Sequence, residues 1–432
     1  MYEPYENLKK LYNLKLAPNS PDTDKFVEIA KQILPFKLHE FDSGLEFNGW
    51  VVPYSWSVKK ALIKKDGVTI YDGLHHPLAV IGYSQSFIGK ISLSELKKHI
   101  WTHPTLDDAL VYHCDLFYKV GKQEWGFTMS KNMLNSLLDG EYEIELECSF
   151  EQNSLKVLEF DIKGEIDEYI ILNAHNCHAQ QANDDISGVV VGIEIMKRLM
   201  QTKNRYSYKL IIAPEHFGTI FYLASLELSE IKKFKHAMFL ESLGNDKHIG
   251  LQLSFLGNKE IDIASINYIS NNFNPHEIKP FRQIIGNDET VWEAAGYEIP
   301  CISLSRHPFR EYHSSFDNID IISIDRLKES VKIVEDIIKI LETNRKMKRK
   351  FNGLIALSNP KYNLYIAPGS DPTGGIGGVK VDKKFNYLMD CIIRYFDENM
   401  TILDIATKHE MDYFSVYEYV KMFEEKELIE FV

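Results

Sequence analysis

The sequence predicts an α/β protein: a mixed sheet flanked by helices, with a mostly β segment inserted into it and a helical module at its C-terminal end. Three observations predict this. Strand-like and helix-like apolar runs alternate from about residue 161 to 345, β-branched and aromatic runs broken by Gly, Pro and Asp fill 45–160, and helical patterns close the chain over 383–432. With 432 residues, 44% of them hydrophobic and 26% charged, the chain has the balance of a folded protein of more than one domain.

Phe26, Ile29, Ala30, Ile33 and Leu34 repeat at the spacing of one buried helix face and predict a helix over 23–34. Runs such as "GWVVPYSW", "GVTIYDG" and "LAVIGYS" predict short strands in the insert. After it come "YIILNA", "GVVVGIEIMKRLM", "YKLIIA", "GTIFYLASLEL" and "HAMFL", strands and helices in the order that builds a largely parallel sheet. A helix over 325–343, with Leu327, Val331, Val334, Ile337 and Ile338 on related faces, closes this domain. Residues 1–44 and 161–345 then form the α/β domain and 45–160 the inserted β subdomain, joined through 346–382 to the last domain. Within that linker "APGSDPTGGIGGVK" reads as a glycine-rich loop, and the GxxxxGK[ST] order of a phosphate loop is missing.

The runs "YLMDCIIRYFDE", "TILDIATKHE" and "DYFSVYEYVKMFEEKELIEF" predict three helices, with Val416, Val420 and Phe423 on one face of the third. Their number and the tight turn before the last resemble a winged-helix or helix-turn-helix module. Over 383–432 acidic residues outnumber basic ones eleven to six, so a recognition helix here would repel DNA. A protein contact or homo-oligomerisation suits it better. The formal net charge of −13 argues the same way against nucleic acid for the whole chain. No signal-peptide core or membrane-length apolar run is present, which predicts a cytoplasmic protein without membrane contact. The five cysteines are scattered and form no CxxC pair, so a disulfide framework is not expected.

Ligands of α/β sheets gather beyond the carboxyl ends of the strands. "YIILNA" leads into His175, "YKLIIAP" into Glu215 and His216, and "HAMFL" into Glu241. His178 and Asp184 lie in the loop "NAHNCHAQQANDDISG", and His313 in "REYHSSFDN". Imidazoles and carboxylates are zinc-type ligands, and one bridging acid with two further ligands per ion makes a two-metal site. Asp185 fits the cap of the helix starting near Ser187, and Cys177 a packed thiol. Asp288 and Glu289 are expected to wall a pocket, and Arg306, Arg310 and Tyr312 to bind a substrate carboxylate or oxyanion, with ordinary loop roles as the alternative. The pair His75 and His76 has no carboxylates close by in "LHHPL" and is not read as a metal site.

The order "NDDISG", a Glu-His pair, "LESLG" and a late "YHSSFDNID" resembles the zinc exopeptidases of the aminopeptidase Y and glutamate carboxypeptidase family across residues 161–345. "LHEFDSGLEFNGWVVPYSWSVKKALI", "LHHPLAVIGYS", "EWGF", "DGEYEIELECSF" and "CHAQQANDDISG" resemble more closely, over nearly the whole chain, a group of aminopeptidase-like proteins with an inserted β subdomain and a C-terminal winged helix. Some members of that group accompany polysaccharide-biosynthesis genes. The resemblance implies one or two zinc ions, Asp184 as the bridging acid, Glu215 as general base, and Glu241 and His313 as ligands. His216 stands where the family has a second Glu, and Cys177 where an Asp buttresses the site. His175 and His178 compete for one ligand role. The implied arrangement has His175 or His178 with Glu241 on one ion, His216 with His313 on the other, and Asp184 between them.

The sequence therefore reads first as a zinc-dependent, aminopeptidase-like hydrolase of an amide bond in a small peptide or acylamino compound. The alternatives are an amidase or deacetylase acting on a modified sugar, and a non-catalytic metal-binding scaffold whose C-terminal module binds a partner.

Overall fold

The computed structural model describes residues 2–119, 121–366 and 383–432. The glycine-rich loop 367–380 lies outside the described residues. The chain divides into two compact units, 1–252 with 282–331, and 253–281 with 332–432.

In the first unit the strands of the main sheet are β1 (Lys37–Asp42), β2 (Ser154–Ile162), β3 (Tyr169–His175), β4 (Ser207–Ala213), β5 (Phe234–Glu241), β6 (Gly250–Gln252) and β7 (Cys301–Ser305). They lie in the order β1-β2-β4-β3-β5-β7-β6. The β3, β4, β5 and β7 strands are parallel, while β1, β2 and β6 pair antiparallel and make the sheet mixed. All seven residues of β3 are buried, as expected of a parallel strand covered on both faces. Because β3, β4 and β5 run the same way, His175, Glu215 and Glu241 arrive at one end of the sheet.

The predicted helix at 23–34 spans Pro21–Ile33, opened by a Ser20–Thr23 capping box and by proline in its first turn. The long helix near the end of the α/β pattern spans Ile324–Thr343. The chain leaves the main sheet after Asp42 and returns at Ser154, so β2 belongs to the α/β layer although residues to 160 read as insert. Between them the strands Ser55–Lys65, Val68–Asp72, Phe87–Ser92 and Glu141–Glu151 form an antiparallel sheet. Its core gathers Ala61, Ile63, Phe127, Met129, Tyr142, Ile144 and Leu146, and reaches Ala179 in the loop that follows β3.

In the second unit, residues 253–281, read as part of the α/β domain, accompany the C-terminal residues instead. Asn267, on the helix Glu260–Asn272, donates to the Met411 carbonyl and accepts from the Tyr413 N–H, fixing the turn before the last helix. The helices Lys383–Cys391, Ile402–Lys408 and Tyr413–Glu425 are present. The last is shorter than its apolar pattern: Glu427 turns at φ 58, and Ile429–Phe431 pairs antiparallel with Lys346–Arg349. Among the described residues no helix is long and apolar enough to cross a membrane.

Candidate metal centre

The stretch from His175 to Gly188 is held by carboxylates before any ligand is considered. Asp185 accepts from the N–H groups of His175, Gly188 and Ser242, each at 3.1 Å. It thus caps the helix Ser187–Leu199, as its sequence position suggests, and also ties that helix to the ends of β3 and β5. Gly188 is required here, because a Cβ would lie 2.2 Å from the Leu240 carbonyl oxygen and 2.4 Å from Asp185. Asp317 accepts from the N–H groups of Asn183 at 2.7 Å and Asp184 at 3.0 Å, which fixes the backbone that presents Asp184.

Asp184 is buried and meets three imidazoles. Its Oδ1 is 3.0 Å from His175 Nε2, and its Oδ2 is 3.5 Å from His178 Nε2 and 3.3 Å from His313 Nε2. Two groups of donor atoms, each within 4.8 Å of one another, share this acid: His175, Asp184 and Glu241, and His178, Asp184 and His313. A further group joins His175, Cys177 and Glu215. The two histidines that competed for one role in the sequence therefore serve different sides of Asp184.

The donor set fits a divalent cation. His175 Nε2, His178 Nε2, Asp184 Oδ2 and Glu241 Oε1 are buried yet make no hydrogen bond, although the imidazoles lie within ion-pair distance of Asp184. Their lone pairs converge on a shared space, where unsatisfied polar atoms cost free energy unless a cation takes them. The His178 Nδ1 proton goes to the Ala179 carbonyl oxygen at 2.8 Å, leaving Nε2 as the free lone pair. Cys177 Sγ lies 3.4 Å from His175 Nδ1 and 3.8 Å from Glu215 Oε2, in the buttressing place that the resemblance assigns to an aspartate. Aromatic rings hold the imidazoles in plane: Tyr112 stacks on His178 at 4.2 Å, Tyr312 on His313 at 3.9 Å, and Phe239 faces His175 at 6.0 Å.

The electrostatics also call for positive charge. Burial, then Asp184, Asp185 and Glu215, push Glu241 well above the usual carboxylate range. Burial, then Asp288, Asp184 and Glu289, do the same to Glu215. Burial would raise Asp184 too, but contacts with His175, His178 and His313 outweigh it and hold this acid low. Glu215 keeps 21% of its side chain exposed, whereas Asp184 and Glu241 are closed off.

The remaining residues fall elsewhere. His216 is outside these donor groups: its Nδ1 is 3.4 Å from Glu215 Oε1, its Nε2 is 3.5 Å from Thr290 Oγ1, and its ring lies parallel to Trp50 at 6.0 Å. It turns away because its backbone, at φ 57, starts the helix Phe217–Ala224. Asp288 is spent on that turn, accepting from the His216 N–H at 2.5 Å and from the Thr219 hydroxyl. Arg306 is fully buried and donates to Glu329, to Ser330 and to the Lys247 carbonyl, so it braces loops instead of meeting substrate. Arg310 is exposed, and Tyr312 stands beside His313.

Sequence reasoning missed Asp317 and Tyr112. Asp317 follows His313 by four residues inside "YHSSFDNID", and that spacing of acid to ligand was the available signal. Tyr112 had none, since it comes from the insert; its N–H donates to the His313 carbonyl at 2.8 Å.

A mixed sheet with this cluster at its strand ends is the zinc-exopeptidase fold. The Bacillus subtilis zinc aminopeptidase BSAP shares that fold, with a TM-score of 0.56 at 14% identity over 78% of this chain and 94% of that one. The family described as a domain of unknown function, DUF4910, matches residues 5–344, and the chain belongs to it. A Clostridium acetobutylicum protein, described as a presumed polysaccharide biosynthesis protein with an aminopeptidase-like domain, is 28% identical over 95% of this chain and 92% of its own length. A crystal structure of a presumed peptidase from Clostridium acetobutylicum covers 100% of this chain and 96% of that one, with a TM-score of 0.84 at 26% identity.

Proposed function

We propose that this protein is a zinc-dependent hydrolase that cleaves an amide bond in a small peptide or acylamino compound. The observation that carries the reading is Asp184, one buried carboxylate whose two oxygens face separate sets of lone pairs. His175 and Glu241 would hold one ion with it, and His178 and His313 the other.

Zinc bound there would polarise the scissile carbonyl and bring the pKa of a shared water towards neutrality. The chain's own residues do the rest. Glu215 accepts a proton from the attacking water at a carboxylate oxygen, a task open to it because its side chain is partly exposed beside the donor groups. The water oxygen bonds to the carbonyl carbon, the carbon–nitrogen bond breaks, and Glu215 returns the proton to the departing amine. Cys177 and Phe239 keep the His175 ring in place, and Tyr112 and Tyr312 do so for His178 and His313.

The test is Glu215→Gln, assayed after zinc reconstitution against a panel of aminoacyl amides and acetamido sugars. Zinc content should match the wild type while turnover falls at least about a hundredfold, the scale of a lost general base. Retained turnover removes Glu215 from this role. The acetamido sugars cover a second reading, an amidase acting on a modified sugar, which the name of the Clostridium acetobutylicum relative favours.

A further inference from the structure

A chamber of about 430 Å³, a size suited to a small ligand group, is lined by His216, whose Nδ1 is 3.4 Å from Glu215 Oε1. It starts at His216 and is bounded on one side by Phe47 and Trp50 of the insert and on the other by Thr290, Val291 and Tyr297. Among the described residues no Lys, Arg, Asp or Glu lines it.

The two walls are built for a fixed shape. Asn48 and Gly49, at φ 50 and φ 85, make the tight turn between Glu46–Phe47 and Trp50–Val51, the Asn-Gly signature of a two-residue hairpin. That hairpin places the Trp50 ring parallel to the His216 imidazole, with Phe217 edge-on at 5.2 Å behind it. On the far side, Gly296 at φ 90 turns the chain after the short helix Glu289–Trp292 and leaves Tyr297 on the chamber.

We propose that this chamber receives the amine side of the cleaved bond and takes an uncharged, ring-bearing group there. The inference rests on the hydrolase reading for its direction: Glu215 must reach the departing nitrogen, so the group attached to that nitrogen lies on the Glu215–His216 side. The lining sets the chemistry. A charged group would lose its hydration with no opposite charge among the lining residues to replace it, whereas a ring gains contact with the Trp50 and Tyr297 side chains. The insert thus selects substrates as well as steadying His313 through Tyr112.

The test uses the full-length Glu215→Gln protein, loaded with zinc, and titration calorimetry with N-acetyl-phenylalaninamide, N-acetyl-lysinamide and N-acetyl-aspartamide. The phenylalanine probe should bind at least about tenfold more tightly than the other two, the scale of burying one aromatic ring. Trp50→Ala should erase that preference, and so should Ala295→Trp, which fills the chamber from an exposed position. Equal binding of the three probes, or a preference that survives both substitutions in folded protein, overturns the proposal. Binding is read here without turnover. Failure of the wild type to hydrolyse any amide would remove the hydrolase reading and with it the amine-side assignment while leaving the ring preference of the chamber, and failure of the probes to discriminate would count against the chamber alone.

Discussion

Glu159 shows what one buried acid does when it is fully partnered, in contrast to the centre. It accepts from His39 at 2.9 Å, from Tyr222 at 2.9 Å and from Lys209 at 2.5 Å, and so ties β1, β2 and β4 together. Burial would raise its pKa, but His39 and Lys209 outweigh this and bring it from 4.5 down to about 2. A depressed carboxylate stabilises the fold fully above its unfolded pKa and loses that contribution as the pH falls through its folded one. The contribution is about 3 kcal/mol at neutral pH. Glu159→Gln should therefore lower stability in urea at pH 7, and the gap to wild type should narrow as the pH falls from 4.5 towards 2. A gap that stays constant over that range would show that the charge of Glu159 contributes nothing. At this scale Glu215 and Glu241 were legible because each sits directly after an apolar run whose end can be counted, and Asp184 through its place in "NDDISG". The sequence could not decide between His175 and His178, and it counted His216 among the ligands, since the directions of these side chains depend on loop backbone such as the turn at φ 57 of His216.

The helix Ser187–Leu199 packs closely on β4 and β5. A Cβ added at Gly188 would lie 2.2 Å from the Leu240 carbonyl oxygen and one added at Gly192 2.8 Å from Leu210 Cδ1, so the helix rests almost directly on the sheet. Gly188→Ala should destabilise the protein by about 1–3 kcal/mol, the scale of overpacking in a close-packed site, because its Cβ would meet the backbone oxygen of Leu240 and the Asp185 carboxylate that three N–H groups hold in place. Gly49→Ala, where a Cβ meets nothing within 4 Å, strains only its own φ and is the comparison to run beside it in urea unfolding. Equal stability of Gly188→Ala and wild type would mean that the helix can lift off the sheet at little cost. Strands β3, β4 and β5 were readable from apolar runs bounded by polar residues. The strand Ile429–Phe431 was not, because "KELIEF" continues the helical pattern and only the turn at Glu427 and its pairing partner end it. The contact of Tyr112 with His178 and His313 spans a long loop, and no local spacing encodes it.

Across the first unit, the acids Asp184, Asp185, Glu241, Asp288, Glu289 and Asp317 are each no more than 3% exposed and gather at one end of one sheet. Asp185, Asp288, Glu289 and Asp317 are occupied in holding backbone, so the charge left for a ligand is concentrated on Asp184 and Glu241. Such a concentration is costly without a cation, and a bound ion reverses the local preference for protonated acids. Zinc should therefore stabilise the fold as well as activate it, by the linkage between binding and unfolding. The most direct measurement is the zinc content of wild type and Asp184→Asn after reconstitution and removal of free metal. The wild type should retain about two zinc ions per chain, and Asp184→Asn, lacking the shared carboxylate, should retain at most one weakly held ion. A wild type that holds no zinc, or an Asp184→Asn protein that holds as much as the wild type, would contradict the metal centre described here.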